Sequence, residues 1–207
     1  MRKWICAGVL AILAVLAWGC QGVEPEKRAY PLVMAFDWEE GQYRVIYGMA
    51  NLAVSTGQGK SAQDTSAGGQ QTILFEGKNM EEIVALYNET QEYYLDLGHV
   101  QAVIFGKNLM ASEEEYGKIL SYMEDNPVIG DGAAVFASSD PERIMKLNGG
   151  KIESLGTYLT GIYENRPGGR SKEMVTLKNM YRSWNEDKKT EKLPDLDVKE
   201  DFPKISA

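Results

Sequence analysis

Gly57-Gln58-Gly59-Lys60-Ser61 has the residue types of a phosphate loop, in which backbone N–H groups feeding a helix start cradle a phosphate. That pattern needs a glycine five positions before the Gly-Lys-Ser, where Val54 stands, and no amphipathic helix follows at once. The stretch therefore reads as a solvated loop. His99 is the only histidine. Any His-based triad would have to use it, yet no nucleophile lies beside it and no G-x-S-x-G elbow is present. A lone histidine of this kind reads as a hydrogen-bonded structural residue. Carboxylates are plentiful, but a glycosidase-like dyad is defined by its separation in space. Glu113-Glu114-Glu115 suits the first turn of a helix, where negative charge complements the dipole. Asp37 and Asp96 are placed for local turn bonds. One His and two Cys exclude most zinc sites, iron–sulfur clusters and disulfide scaffolds. No catalytic, cofactor-binding or metal-ligating set is read from these residues.

The 207 residues carry 22 Lys+Arg against 30 Asp+Glu, a net charge of −8. Nonspecific nucleic-acid binding needs a dense cationic surface to displace counterions, so no nucleic-acid partner is expected. At 43% hydrophobic and 25% charged, the chain is globular and large enough for a real core.

The first residues read as an address. Met1-Arg2-Lys3 is basic, Trp4 to Leu16 is apolar, and the small residues Ala17 and Gly19 precede Cys20. This is the three-part form of a secretory signal over residues 1–19. A Cys directly after a small residue at that place resembles the lipobox of bacterial lipoproteins, in which the Cys is acylated and becomes the mature N-terminus. Cys20 is thus the expected lipidation site. The pattern usually has Leu where Ala17 sits, and Trp18 is bulky. The alternatives are plain secretion and an uncleaved helix, the latter because Trp4 to Val23 is uncharged for 20 residues. Arg2 and Lys3 would then stay in the cytosol, and either anchor places residues 24–207 on the outer face of a membrane. Cys6 and Cys20 would sit about 21 Å apart along a helix, too far to bridge. Removal of residues 1–19 takes away Arg2 and Lys3, leaving 20 cationic and 30 acidic side chains, a net charge of −10. An anionic lipid surface repels that charge, which favours docking on membrane proteins over headgroups. Residues 20–29 read as a membrane-proximal linker. Gln21 to Ala29 is nine residues, at most about 30 Å of extended chain.

Beyond the linker the elements alternate. Pro31 to Phe36 reads as a buried strand, Asp37 to Gln42 as a turn, and Tyr43 to Met49 as a half-buried strand completing a hairpin. Ser55 to Gln71 has no large apolar residue and reads as an exposed flexible loop, disordered rather than functional. Thr72 to Glu76 is a third strand. Asn79 then caps a helix that runs to about Tyr93 on Met80, Ile83, Val84 and Tyr87. His99 to Phe105 is a fourth strand, and Ser112 opens a capping box. Tyr116, Ile119, Leu120 and Met123 form the apolar stripe of the next helix, stopped at Asn126-Pro127. Gly132 to Phe136 is the fifth strand. Short helices capped by Asp140-Pro141 and Ser154 follow, then a loop at Arg166 to Arg170 and a last helix on Met174, Leu177, Tyr181 and Trp184. Residues 186–207 are charged and Pro-punctuated, and read as a tail or linker. The expected fold is an α/β domain over residues 30–185, a mixed β-sheet of about five strands covered by helices. Tyr87, Tyr93, Tyr94 and Tyr122 stand at helical or helix-end positions, as core residues or as an interface stripe.

Several stretches together resemble the Ger(x)C lipoproteins, the C subunits of spore nutrient-germinant receptors. They are Gly19-Cys20, Glu26-Lys27-Arg28, the strand ending Phe36-Asp37, the Ser/Gly/Gln loop, and Asp125-Asn126-Pro127. Glu76-Gly77-Lys78-Asn79-Met80-Glu81-Glu82 is similar to the family's strand-to-helix "G-K-T" segment, with Asn79 where Thr or Ser is usual. The most specific likeness is Tyr94 to Gly106, similar to the family's "L-G-H-(apolar strand)-G" segment. The resemblance covers most of residues 19–185. It implies a membrane-tethered subunit on the outer face of the cytoplasmic (spore inner) membrane, assembling with the integral membrane A and B subunits. It implies no enzymatic activity and no cofactor. It also implies two further domains, where this chain carries the first. Gly98 and His99 match the family segment and read as fold determinants. The alternative is an envelope lipoprotein outside sporulation that binds a small ligand directly; a cell-wall hydrolase is a more distant third.

Overall fold

The computed structural model describes residues 23–50, 72–150, 152–165 and 174–206. The expected signal segment with Cys20, the expected loop containing Gly57 to Ser61, and the expected loop at Arg166 to Arg170 lie outside the described residues.

The order of elements follows the alternation of the sequence. A 3₁₀ turn at Pro25–Lys27 leads into β1 (Arg28–Ala29), β2 (Pro31–Glu39) and β3 (Gln42–Met49). Then come β4 (Thr72–Gly77), α1 (Met80–Thr90), β5 (Tyr94–Leu95) and a second 3₁₀ turn at Leu97–His99. The chain continues through β6 (Ala102–Gly106), α2 (Lys107–Ala111), α3 (Glu113–Glu124), β7 (Ala134–Ser138), α4 (Pro141–Met145) and α5 (Leu155–Glu164). It closes with α6 (Leu177–Asp187), β8 (Asp195–Lys199) and β9 (Phe202–Ser206).

Seven strands form one mixed sheet in the order β4-β3-β2-β6-β7-β8-β9, and β1 pairs with β5 in a separate parallel ribbon. β2, β6, β7 and β8 are parallel neighbours, while β3, β4 and β9 run antiparallel to theirs. Both faces of the central strands are buried, as parallel strands require. Successive residues alternate between two cores. Met34, Phe36, Val103, Phe105, Val135 and Ala137 face the core made with α1, α3 and α6. Val33, Ala35, Ala102, Ile104, Ala134 and Phe136 face the core made with α4 and α5. The chain is thus an α/β domain in three layers.

Asn79 caps α1 by accepting from the Glu82 N–H at 2.8 Å, Asp140 caps α4 from the Arg143 N–H at 2.9 Å, and Ser154 caps α5 from the Thr157 N–H. Ser112 makes no side-chain cap at α3. Its expected partner Glu115 instead takes the Tyr43 hydroxyl, which draws that carboxyl below its ordinary value, helped by Lys118.

Three boundaries differ from the sequence reading. The β2–β3 turn is only Glu40-Gly41, both at positive φ, and β2 continues through Asp37 to Glu39. His99 lies in the 3₁₀ turn, so the strand begins at Ala102. Residues 186–207, expected as a charged tail or linker, complete the sheet: β8 joins β7 through Ala137↔Asp195 and Ser138↔Leu196, and β9 folds back on β8. Leu196 is buried against the α4/α5 core, with Val198 and Ile205 half-buried beside it. Alternating apolar residues set the pairing, and charge dominates the other face.

Candidate functional site

The "L-G-H" segment lies at the amino ends of the parallel strands. Asp96 opens the 3₁₀ turn, its Oδ1 accepting the Gly98 N–H at 3.0 Å and its Oδ2 accepting Arg28 Nη1 at 2.8 Å. Arg28 also donates Nε and Nη2 to the Val23 carbonyl, at 2.9 and 2.7 Å. The His99 ring packs edge-on to Tyr30 with centroids 4.8 Å apart, and the Tyr30 hydroxyl donates to the Pro25 carbonyl. Partial burial pushes the Asp96 carboxyl up, but Arg28 and the Gly98 N–H outweigh it and hold the group below its ordinary value. These residues fasten the start of the chain to the body. Gly98 and His99 take part as structural elements, and His99 is exposed rather than set in a cleft.

At the opposite pole, a cleft of about 190 Å³ lies at the carboxyl ends of β2, β6 and β7, where open α/β sheets commonly place ligands. Asp37, Arg44, Asn108, Ser139, Asp140 and Glu142 line it. Asp37 is only 9% exposed, and its Oδ1 accepts the N–H groups of Trp38 at 2.9 Å and Leu109 at 3.2 Å. Burial raises its carboxyl above the ordinary value. A Cβ on Gly106 would overlap this carboxylate, so the last glycine of the "L-G-H…G" segment is a space requirement set by Asp37. Arg44 bridges Glu39, Glu76 and Glu142 at 3.1, 2.9 and 2.8 Å. Glu142 is held below its usual value by Lys146 first and Arg44 second. The sequence reading missed Arg44, Glu76 and Glu142. Their cross-strand and strand-to-helix pairing has no local signature beyond opposite charge. The carboxylates around Arg44 are already engaged in ion pairs, and no nucleophile–base hydrogen bond joins the lining residues.

The third feature is a wide, open groove of about 1070 Å³ across α1, α3 and α6. Glu81, Glu113, Glu114, Lys118, Tyr122 and Trp184 are among its walls. α3 and α6 meet closely here because Gly117 leaves room for the Trp184 ring. Lys188 Nζ lies 5.3 Å from the centre of that ring, a cation–π distance. Of the four tyrosines considered as anchors, Tyr87 is core, Tyr122 is half-buried in this groove, and Tyr93 and Tyr94 are exposed at the amino pole.

Among the described residues there is no group of three or more His, Cys, Asp or Glu placed to hold a metal ion. No helix among them is long and apolar enough to cross a membrane. The expected lipidation site, Cys20, falls outside them.

Neither the curated proteins nor the solved structures contain a match to this chain. The family model described as the spore germination protein N-terminal domain matches residues 21–198. That match spans the three layers as far as Val198 in β8, including the "L-G-H…G" segment whose last glycine makes room for Asp37. The chain therefore belongs to the spore germination protein N-terminal domain family, and its role lies in spore germination.

Proposed function

We propose that the chain is a membrane-tethered, non-enzymatic subunit of a spore nutrient-germinant receptor, working through contact with the integral membrane A and B subunits. The observation that carries this reading is the family match over residues 21–198, beginning directly after a Cys20 that resembles a lipobox cysteine. Acylation of Cys20 would hold the domain on the outer face of the cytoplasmic (spore inner) membrane. A diacyl anchor supplies the two chains that stable attachment requires.

The geometry supports contact rather than turnover. The carboxyl-end cleft, at about 190 Å³, is below the roughly 300–1,000 Å³ range of small-molecule pockets. The α1/α3/α6 groove is broad and open, with an aromatic floor at Trp184 and charged walls, a form suited to a protein segment. Direct binding of a small nutrient draws less support from either.

Mass spectrometry of the membrane-extracted full chain tests the anchor. The native protein is expected to begin at Cys20 and to carry the added mass of acyl chains there. A chain that still begins at Met1 with Cys20 unmodified would overturn acylation and favour an uncleaved apolar helix.

A further inference from the structure

The apolar stretch from Trp4 ends at Val23, three residues after Cys20. The sequence alone allows a nine-residue leash from Gln21 to Ala29, about 30 Å long. The fold shortens it. The Val23 carbonyl is gripped by Arg28 at 2.9 and 2.7 Å, and Arg28 is in turn locked to Asp96 at 2.8 Å. The Pro25–Lys27 turn is bonded to the Tyr30 hydroxyl, and β1 is paired with β5. The body thus begins at Val23, and three residue steps from Cys20 span at most about 11 Å. A domain held that closely cannot turn any face toward the bilayer; it must present the face around Val23.

That face gathers most of the exposed large hydrophobic side chains among the described residues. Four of the seven exposed large hydrophobic residues are Val23 at 39% exposure, Tyr93 at 46%, Tyr94 at 55% and Val128 at 53%. They are linked through the same knot. Tyr94 is in register with Arg28 across β1 and β5, and a Cβ on Gly98 would lie 3.6 Å from Val128 Cγ1. Nearby charge is largely neutralised, since Lys27 pairs with Glu24 at 2.8 Å and Arg28 with Asp96. Glu26 and Glu92 flank the patch. Tyrosine is suited to the membrane–water boundary, with an apolar ring and a polar tip.

We propose that this amino pole is a lipid-contact surface, with Tyr93, Tyr94 and Val128 resting at headgroup level when Cys20 is acylated. The inference rests on the anchor reading above and adds an orientation. β2, β6 and β7 start at the membrane, the Asp37/Arg44 cleft points away from it, and the α1/α3/α6 groove lies on the flank, open to neighbours in the same membrane.

The test uses the full acylated chain in phosphatidylcholine vesicles. Acylation consumes Cys20, and Cys6 leaves with the signal segment, so an introduced cysteine labels uniquely. Fluorophores are placed through Tyr94→Cys, Val128→Cys and, at the far pole, Ser139→Cys. The first two are expected to be quenched by brominated acyl chains and shielded several-fold from aqueous iodide relative to Ser139→Cys. Equal accessibility at all three positions, with the protein still on the vesicles, would overturn the lipid contact while leaving the anchor intact. Acylated protein that fails to stay on the vesicles would overturn both.

Discussion

Arg28 ties the first described residue to the body with one guanidinium, holding the Val23 carbonyl on one side and the Asp96 carboxylate on the other. The arrangement has a pH signature. Asp96 is held below its ordinary value of 3.8, so its pairing adds stability that is fully present above that pH. The contribution is lost as pH falls through the lower folded value. Arg28→Ala is expected to lower the urea midpoint at neutral pH, with the gap to the native chain closing only below pH 3.8. A gap that stays constant across that range would show that Arg28 acts through the Val23 carbonyl and its packing alone. The sequence made part of this legible. Asp96 was expected to make a local turn bond and makes one to the Gly98 N–H. The long-range half was hidden, because Arg28 and Asp96 are 68 residues apart. Asp37 behaves likewise: its bond to the Trp38 N–H is local, while its bond to Leu109 spans 72 residues.

At the scale of elements, hydrophobic periodicity found five adjacent strands of the sheet, β4 to β7 in spatial order, and the helices that cover them. β2, β3, β6 and β7 bury residues in both cores, β4 at the edge buries Phe75 in one, and each long helix carries an apolar stripe. The hairpin β8–β9 escaped because its strands, Asp195–Lys199 and Phe202–Ser206, fully bury only Leu196 and Pro203 and carry charge at Asp195, Asp197, Lys199 and Lys204. Such features protect an edge strand from unwanted pairing. Its turn, Glu200-Asp201, has both residues at positive φ without the Asn-Gly or Asp-Gly that usually announces that geometry. The short helix α2 was missed too, being a single five-residue segment after β6. Leu196 decides whether the hairpin belongs to the fold. It is 1% exposed, so Leu196→Ala is expected to cost about 2–5 kcal/mol in equilibrium unfolding. A change near zero would return residues 186–207 to the status of a tail.

For the whole molecule, the poles and the flank have different tasks. The amino pole fastens the chain start, the carboxyl pole closes on its own ion pairs, and the α1/α3/α6 flank is left open with Trp184 in its floor. The sequence announced the family but not this division, because a groove whose closest contact joins Gly117 of α3 to Trp184 of α6 has no footprint in local spacing. With residues 1–19 removed the net charge is −10, so anionic headgroups repel the body as a whole. The proposed lipid contact is therefore confined to the small apolar pole, which leaves the larger surfaces for the proposed protein partners. The most direct test of a tethered receptor subunit is capture of the full acylated chain from crosslinked spore membranes, solubilised in mild detergent. Two integral membrane proteins are expected to be recovered with it in comparable amounts. Recovery of the chain alone, after crosslinking that does join other known membrane complexes, would contradict it.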